Sequence, residues 1–220
     1  LIIKDVIAID GPSGAGKTTI AKLIAEELGF EYLDTGALYR AVAVALRNDG
    51  IGQTDSDDKI KNILSRITVT FSDGKVFLNG EDVTGDIRST EVDHYSSVFS
   101  ARKIVREFLL DAQRTAALKN DLIIEGRDTT TVVFPDAKKK IFLDASVEER
   151  AKRRYKQYRE KGIEINMAES RKSIIERDRR DANRNIAPLK IASDALIIDS
   201  SNLSVEQVLK KIIEFIKTDP

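Results

Sequence analysis

The 220-residue chain contains no cysteine, and that absence removes a disulfide framework, a thiolate zinc site and a cysteine nucleophile together. It fits a reducing compartment, and the cytoplasm is the expected location. Charge of one sign is not in excess either, since 36 Lys and Arg balance 36 Asp and Glu. Bulk electrostatics therefore do not favour a polyanion such as a nucleic acid as partner, and any affinity for anions must be local. No stretch reaches the roughly 18 apolar residues of a membrane span. The first residues read as the approach to a strand and not as a basic, apolar leader. The one histidine, His94, stands between Asp93 and Tyr95 with no metal-ligand spacing around it, which predicts a surface or hydrogen-bonded structural role. The length suits one α/β domain with an insertion, or two small domains.

What is present is rhythm. Residues 5–10 form a short apolar run closed by Gly11 and Pro12, as a buried parallel strand would. From Lys17 the apolar positions Ile20, Leu23, Ile24 and Leu28 fall at helical spacing, with Gly29 as the stop. A second strand over 30–33 and an alanine-rich helix over 38–46 continue the alternation expected of a parallel sheet with helical crossovers. The texture changes between residues 48 and 86. Residues 67–71 and 76–79 alternate apolar with polar and are joined by Ser72, Asp73 and Gly74, which predicts an inserted antiparallel hairpin. Strands at 122–125, 141–143 and 195–199 follow. Val205, Val208, Leu209, Ile212, Ile213 and Ile216 then trace the stripe of a helix packed on the sheet.

Between the first strand and the first helix lies Gly11-Pro12-Ser13-Gly14-Ala15-Gly16-Lys17-Thr18, the G-x-x-x-x-G-K-[ST] pattern of a P-loop in its proper context. Glycines let the backbone turn successive N–H groups toward an anion, and the helix N-terminus adds partial positive charge. Lys17 can reach β and γ phosphates, and Thr18 can offer its hydroxyl to Mg²⁺. GTPases would add N-K-x-D, which is absent, and motors are usually larger. Leu122-Ile123-Ile124-Glu125 supplies a strand-end carboxylate able to support a metal-bound water.

Phosphoryl transfer needs positioning and charge neutralisation more than a base, so convergent guanidinium groups are the next feature sought. Arg40 and Arg127 each lie just beyond a predicted strand's C-terminal end, where α/β folds bind ligands. Arg106, Arg179 and Arg180 read by composition as exposed helix charges, and Arg177 and Arg184 complete a cluster before Pro188. Residues 150–161 carry seven basic side chains, open to reading as an RNA-binding face, a solvated helix or a mobile lid.

Taken in order, Ile9-Asp-Gly-Pro-Ser-Gly-Ala-Gly-Lys-Thr18, Leu33-Asp-Thr-Gly-Ala-Leu-Tyr-Arg40 and Gly126-Arg-Asp128 followed by Thr131-Val-Val-Phe-Pro-Asp136 resemble signatures of the bacterial cytidylate kinases, P-loop nucleoside monophosphate kinases. So do Ile141-Phe-Leu-Asp-Ala-Ser146 with Glu149-Arg150, and Arg177-Asp178 through Asn183-Arg184 to Ala187-Pro-Leu189. The resemblance covers nearly the whole chain. It implies a P-loop parallel sheet flanked by helices, residues 1–47 and 120–220, with a lid near 150–161. It also implies an inserted domain, residues 48–119, that carries the small antiparallel sheet and binds the acceptor nucleotide. The implied reaction moves the γ-phosphoryl group of ATP, with Mg²⁺, to CMP or dCMP in a monomeric enzyme.

By the same resemblance, Gly11, Pro12, Ser13, Gly14, Ala15, Gly16, Lys17, Thr18 and Thr19 bind ATP, Thr18 touches the metal, and Arg153 and Arg154 close over ATP from the lid. Thr35, Arg40 and Arg127 would hold the CMP phosphate. Ser97, Arg106, Asp128 and Arg184 would surround cytosine, and Arg177 and Asp181 would contact the ribose and the transferring phosphate region. Lys17, Arg127, Arg177 and Arg184 are the expected catalytic set. A carboxylate with a guanidinium suits cytosine, whose amino group donates beside N3 and O2 acceptors, and the carboxylate discriminates against the carbonyl of uracil. The chain departs from the family pattern at Thr129-Thr130, where an apolar residue and Gly are usual, and at Ile104, where Arg is frequent. Another small P-loop kinase, acting on UMP or shikimate, and a nucleotide-binding regulator or RNA-binding module are the competing readings.

Overall fold

A computed structural model describes residues 5–72, 74–118 and 120–218. Asp73 of the expected hairpin turn lies outside the described residues, as do Lys119 and the ends of the expected core domain, 1–4 and 219–220. The chain opens with β1 (Val6–Asp10), α1 (Lys17–Leu28), β2 (Glu31–Asp34) and α2 (Thr35–Asn48). Next come α3 (Asp57–Leu64), β3 (Val69–Ser72), β4 (Lys75–Leu78), β5 (Glu81–Asp82), a 3₁₀ turn at Asp86–Arg88, α4 (Thr90–Phe99) and α5 (Lys103–Ala116). The chain then re-enters the main sheet with β6 (Leu122–Gly126), a π-helical turn at Thr129–Val133, β7 (Lys139–Asp144), α6 (Val147–Glu160), α7 (Met167–Asn183), β8 (Leu196–Asp199) and α8 (Val205–Lys217).

The main sheet has the order β2-β6-β1-β7-β8 and is parallel throughout. Val6–Ile9 of β1 and Leu122–Ile124 of β6 are continuous apolar runs because both faces are covered. Alternate residues of β1 feed different cores. Val6 and Ala8 pack with α2, α3, α4 and α5 on one face. Ile7 and Ile9 pack with α1 and α8 on the other. The second sheet, β3-β4-β5, is antiparallel, and its Val69 and Val76 join the α2 side of the core. No described helix is long and apolar enough to cross a membrane.

Gly29 caps α1 in the left-handed conformation, as its position predicts, and its N–H bonds back to the carbonyl of Ala25. The expected hairpin forms, with a third short strand that two polar residues, Glu81 and Asp82, could not signal by alternation. Two other elements start earlier than their apolar patterns suggest. Helix α2 begins at Thr35, directly after β2, with Asp34 as its extended N-cap. Strand β7 begins at Lys139 and Lys140, both buried. Lys139 donates to the Thr218 carbonyl (2.7 Å) and Lys140 pairs with Asp194 (2.8 Å), so each ammonium is satisfied where its stem is covered.

Candidate active site

All strands of a parallel sheet end at one edge, so Asp10, Asp34 and Gly126 deliver their following loops to a common cleft. The loop after β1 lies against β7. Gly11 has φ +151°, and a Cβ on it would sit 1.9 Å from the Leu143 carbonyl oxygen, so no other residue fits there. Gly16, at φ +96°, precedes a helix with no side-chain cap and no acidic residue in its first turn. The first amides of α1 are therefore unspent and face the cleft, an arrangement suited to phosphate.

Lys17 is buried and donates to the carbonyls of Gly11 (2.8 Å) and Pro12 (2.9 Å). Burial, then the positive charges of Arg127 and Arg177, bring its ammonium down to about 7 despite the nearby Glu125 carboxylate. A polyanion entering the loop would reverse that shift. The base of the basic helix α6 is tied to the same loop: Arg150 donates to the Ser13 carbonyl (3.2 Å), Arg153 to that of Ala15 (3.2 Å), and Arg154 to the Ser13 hydroxyl (3.3 Å).

Across the cleft the charges are paired side chains. Asp128 is buried between Arg106 and Arg184, both of which donate to it. Arg106 lies over the Tyr39 ring, 5.3 Å from its centroid, and also donates to the Ser100 carbonyl (3.1 Å). The compositional expectation of an exposed helix charge is thus wrong for Arg106, because Asp128 and Tyr39 repay its burial. It holds for Arg179, which is exposed, while Arg180 is half-buried and donates to Ser97 Oγ (3.1 Å). Arg127 Nε donates to Asp181 Oδ2 (2.8 Å). Burial alone would raise Asp181, but Arg127, Arg177 and Arg184 hold it below the usual carboxylate range. Arg40 is paired with Asp34 (2.6 Å) and lies 3.7 Å from Asp93. Burial and Arg127 together lower Arg177 to about 10.

Arg40, Arg154 and Arg177 each keep a buried Nε without a hydrogen-bond partner. An unsatisfied buried cationic donor costs free energy, and all three residues line this cleft of about 780 Å³. It is a place that favours anions. Its walls include Ser13 to Thr19, Thr35, Arg40, Arg106, Arg127, Asp128, Arg153, Arg154, Arg177, Asp181 and Arg184. Gly11 and Pro12 lie behind, holding Lys17 through their carbonyls. Ser97 is not part of the cleft wall; from α4 it is Asp93 and Ser96 that face it, followed by Ser100.

Several participants carried no distinct signal. Asp93 resembles an ordinary surface acid and Arg88 an ordinary turn charge, and Asp34 has no role of its own within its signature, yet all three line the cleft. Tyr32 donates to Glu125 (2.5 Å) beside the Thr18 hydroxyl. Burial, then Asp34, raise the Glu125 carboxyl despite Lys17. Among the described residues no three His, Cys, Asp or Glu side chains group around a metal position. The oxygen donors Thr18 and Glu125 nevertheless fit Mg²⁺, which binds to one or two protein groups plus phosphate and water.

A model of the cytidylate kinase family matches residues 7–218. The cytidylate kinase of Thermosipho melanesiensis is 48% identical over 211 residues, 96% of each chain. That of Thermodesulfovibrio yellowstonii is 46% identical over 221 residues, covering 99% of this chain and all of its own. Among solved structures, an uncharacterized protein from Eubacterium ventriosum (TM-score 0.57, 14% identity) covers 98% of this chain and 100% of its own. A shikimate kinase from Bacteroides thetaiotaomicron (TM-score 0.50, 14% identity) covers 97% of this chain and 99% of its own. At that identity both speak for the fold alone. With a P-loop facing a wall of paired arginines, and relatives this similar over nearly full length, the chain belongs to the cytidylate kinase family.

Proposed function

We propose that the protein transfers the γ-phosphoryl group of Mg-ATP to CMP or dCMP, giving ADP and CDP or dCDP. The observation that carries this reading is one cleft joining a phosphate-cradling loop to a buried carboxylate, Asp128, flanked by two guanidinium groups. The loop amides and Lys17 hold the donor phosphates. Leu203, Val205 and Val208 line the same cleft and suit the apolar faces of a purine. Residues 48–119 form the acceptor-binding insert of a core made by 1–47 and 120–220, and Arg106 from the insert meets Asp128 from the core. Asp128 accepts from the cytosine amino group while Arg106 or Arg184 donates to its acceptors. Uracil would present a carbonyl to the carboxylate.

Thr35, Arg40 and Arg127 receive the acceptor phosphate, Arg177 and Asp181 act at the ribose and the transferring group, and Arg153 and Arg154 close over ATP. Ser97 is read with the groups around the cytosine, although it stands off the cleft wall and accepts from Arg180. The acceptor phosphate is already an anion, so no general base is required, and transfer depends on alignment and on neutralising charge. Mg²⁺, held at Thr18 with Glu125 nearby, would supply further neutralisation of the phosphates. The enzyme is read as a monomer of the cytoplasm, with small-molecule substrates only.

ADP formation from Mg-ATP with CMP, dCMP, UMP, AMP and shikimate as separate acceptors tests the reading. Selective turnover with CMP and dCMP supports it. Turnover with another acceptor would keep the phosphotransferase and overturn the cytosine assignment. No turnover from folded, ATP-binding protein would favour a regulator.

A further inference from the structure

Asp10 is fully buried at the end of β1, one residue before the P-loop. Its Oδ1 accepts from the Thr129 amide (3.0 Å) and hydroxyl (2.7 Å), and its Oδ2 from the Thr130 amide (2.8 Å) and hydroxyl (2.6 Å). Each oxygen thus takes one backbone and one side-chain donor from two consecutive residues of the neighbouring strand's continuation. Neither threonine lines the cleft, and both are buried. An apolar residue and glycine in their place would keep both amides and lose both hydroxyls. Neither threonine has a positive φ, so the turn does not call for glycine.

The two residues between this contact and the sheet are Arg127 and Asp128. On one side Gly126 is fixed by its register opposite Asp10. It is also fixed by packing: a Cβ on Gly126 would fall 2.7 Å from the Thr129 methyl and 2.7 Å from Thr35 Oγ1. On the other side the Asp128 carbonyl accepts from the amides of Val132 (2.9 Å) and Val133 (3.2 Å), and the Thr129 carbonyl from that of Phe134 (2.8 Å). The span is too short to reorient once both ends are held.

We infer that Thr129 and Thr130 are positioning residues: their hydroxyls, through Asp10, hold the Arg127–Asp128 segment in the geometry that selects the acceptor base. The inference rests on the cytosine reading of Asp128. Such support matters because a binding group displaced by a fraction of an ångström loses much of its discrimination. Asp10 itself is a poor probe, since it adjoins Gly11 and any change there reaches the P-loop as well.

The test is a comparison of Thr129→Val, Thr130→Val and the double variant with the double Thr→Ser variant, which retains the hydroxyls. Steady-state constants for CMP, UMP and ATP and the melting temperature are measured for each. The double Val variant is expected to lose about tenfold in its CMP-over-UMP preference, mainly through a higher KM for CMP, with a smaller rise in KM for ATP because Asp10 adjoins the P-loop. The Ser variant is expected to keep the preference of the unsubstituted enzyme. An unaltered preference in the double Val variant overturns the inference, whatever its melting temperature. If the double variant does not fold, each single variant is expected to lose about threefold in that preference, and unchanged single variants overturn the inference equally. An unsubstituted protein that does not prefer CMP to UMP overturns the cytosine reading first, and this inference with it.

Discussion

On the P-loop side of the cleft, residues 11–19 supply consecutive backbone groups from one strand-loop-helix segment. On the opposite side, Arg40 comes from α2, Arg106 from α5, Arg127 from the end of β6, Arg177 from α7, and Arg184 from the residue capping α7. The first wall is built of amides and depends on conformation. The second is built of long side chains, of which Arg40, Arg106, Arg127 and Arg184 are oriented by Asp34, Asp128 or Asp181, while the buried Arg177 Nε has no hydrogen-bond partner. The backbone wall should therefore fail by distortion of the fold, and the side-chain wall by loss of function in a fold that survives.

The largest expected effect is on the arginine side. Arg127→Ala should lower turnover with Mg-ATP and CMP by about a thousandfold, with a far smaller change in the denaturation midpoint because Arg177 and Arg184 still face Asp181. Equal losses of activity and stability would remove Arg127 from the site and break the contrast. Gly11→Ala tests the other wall. The clash with the Leu143 carbonyl and the positive φ should cost about 3 kcal/mol of stability or more, read by urea denaturation, with ATP affinity lost in parallel. A stable Gly11→Ala protein would show that the loop can relax.

Asp128→Asn should come next. It removes the charge shared by Arg106 and Arg184 while keeping volume, and should lower kcat/KM for CMP by about thirtyfold. KM for ATP, measured in the same assays, should stay fixed. If both constants move together, the two walls are one coupled unit.

The smallest effect is a proton. Lys17 has an ordinary value of 10.5 in the unfolded chain and about 7 in the fold, so between those values the unfolded state binds the extra proton and the ligand-free fold gains stability as pH rises. ATP restores the charged form, so above pH 7 binding should take up a proton and weaken with rising pH. Calorimetry near pH 8 in buffers of different ionisation enthalpy should show uptake approaching one proton per ATP, abolished by Lys17→Met. No uptake would mean that the ammonium stays charged in the empty loop.

The phosphate loop and sheet were legible in the residues because their causes are local. Gly11, Gly14 and Gly16 announce backbone conformation, and the apolar runs of β1 and β6 announce strands covered on both faces. Strand β5 and the starts of α2 and β7 were not legible. Glu81 and Asp82 pair with Leu78 and Phe77 close by but are two polar residues with no alternation to read, whereas Lys139 and Lys140 are strand residues satisfied by Thr218 and Asp194, far along the chain. Arg106 shows the same limit within the site: its composition speaks for solvent, and its burial depends on an aspartate 22 residues away.

By itself, the sequence determined a parallel α/β frame, the place of the phosphate cradle and the resemblance to the cytidylate kinases. Glycine freedom and apolar periodicity act over a few residues, and they can be read from those residues alone. Only the tertiary structure decided which carboxylate orients which arginine, that Asp34, Asp93 and Arg88 join the cleft while Ser97 stands off it, and that Thr129 and Thr130 close on Asp10. A long charged side chain costs too much to bury without a partner. Its position is therefore set by where the fold brings an opposite charge, and the register of β1 against β6 is what brings residue 10 to residues 129 and 130.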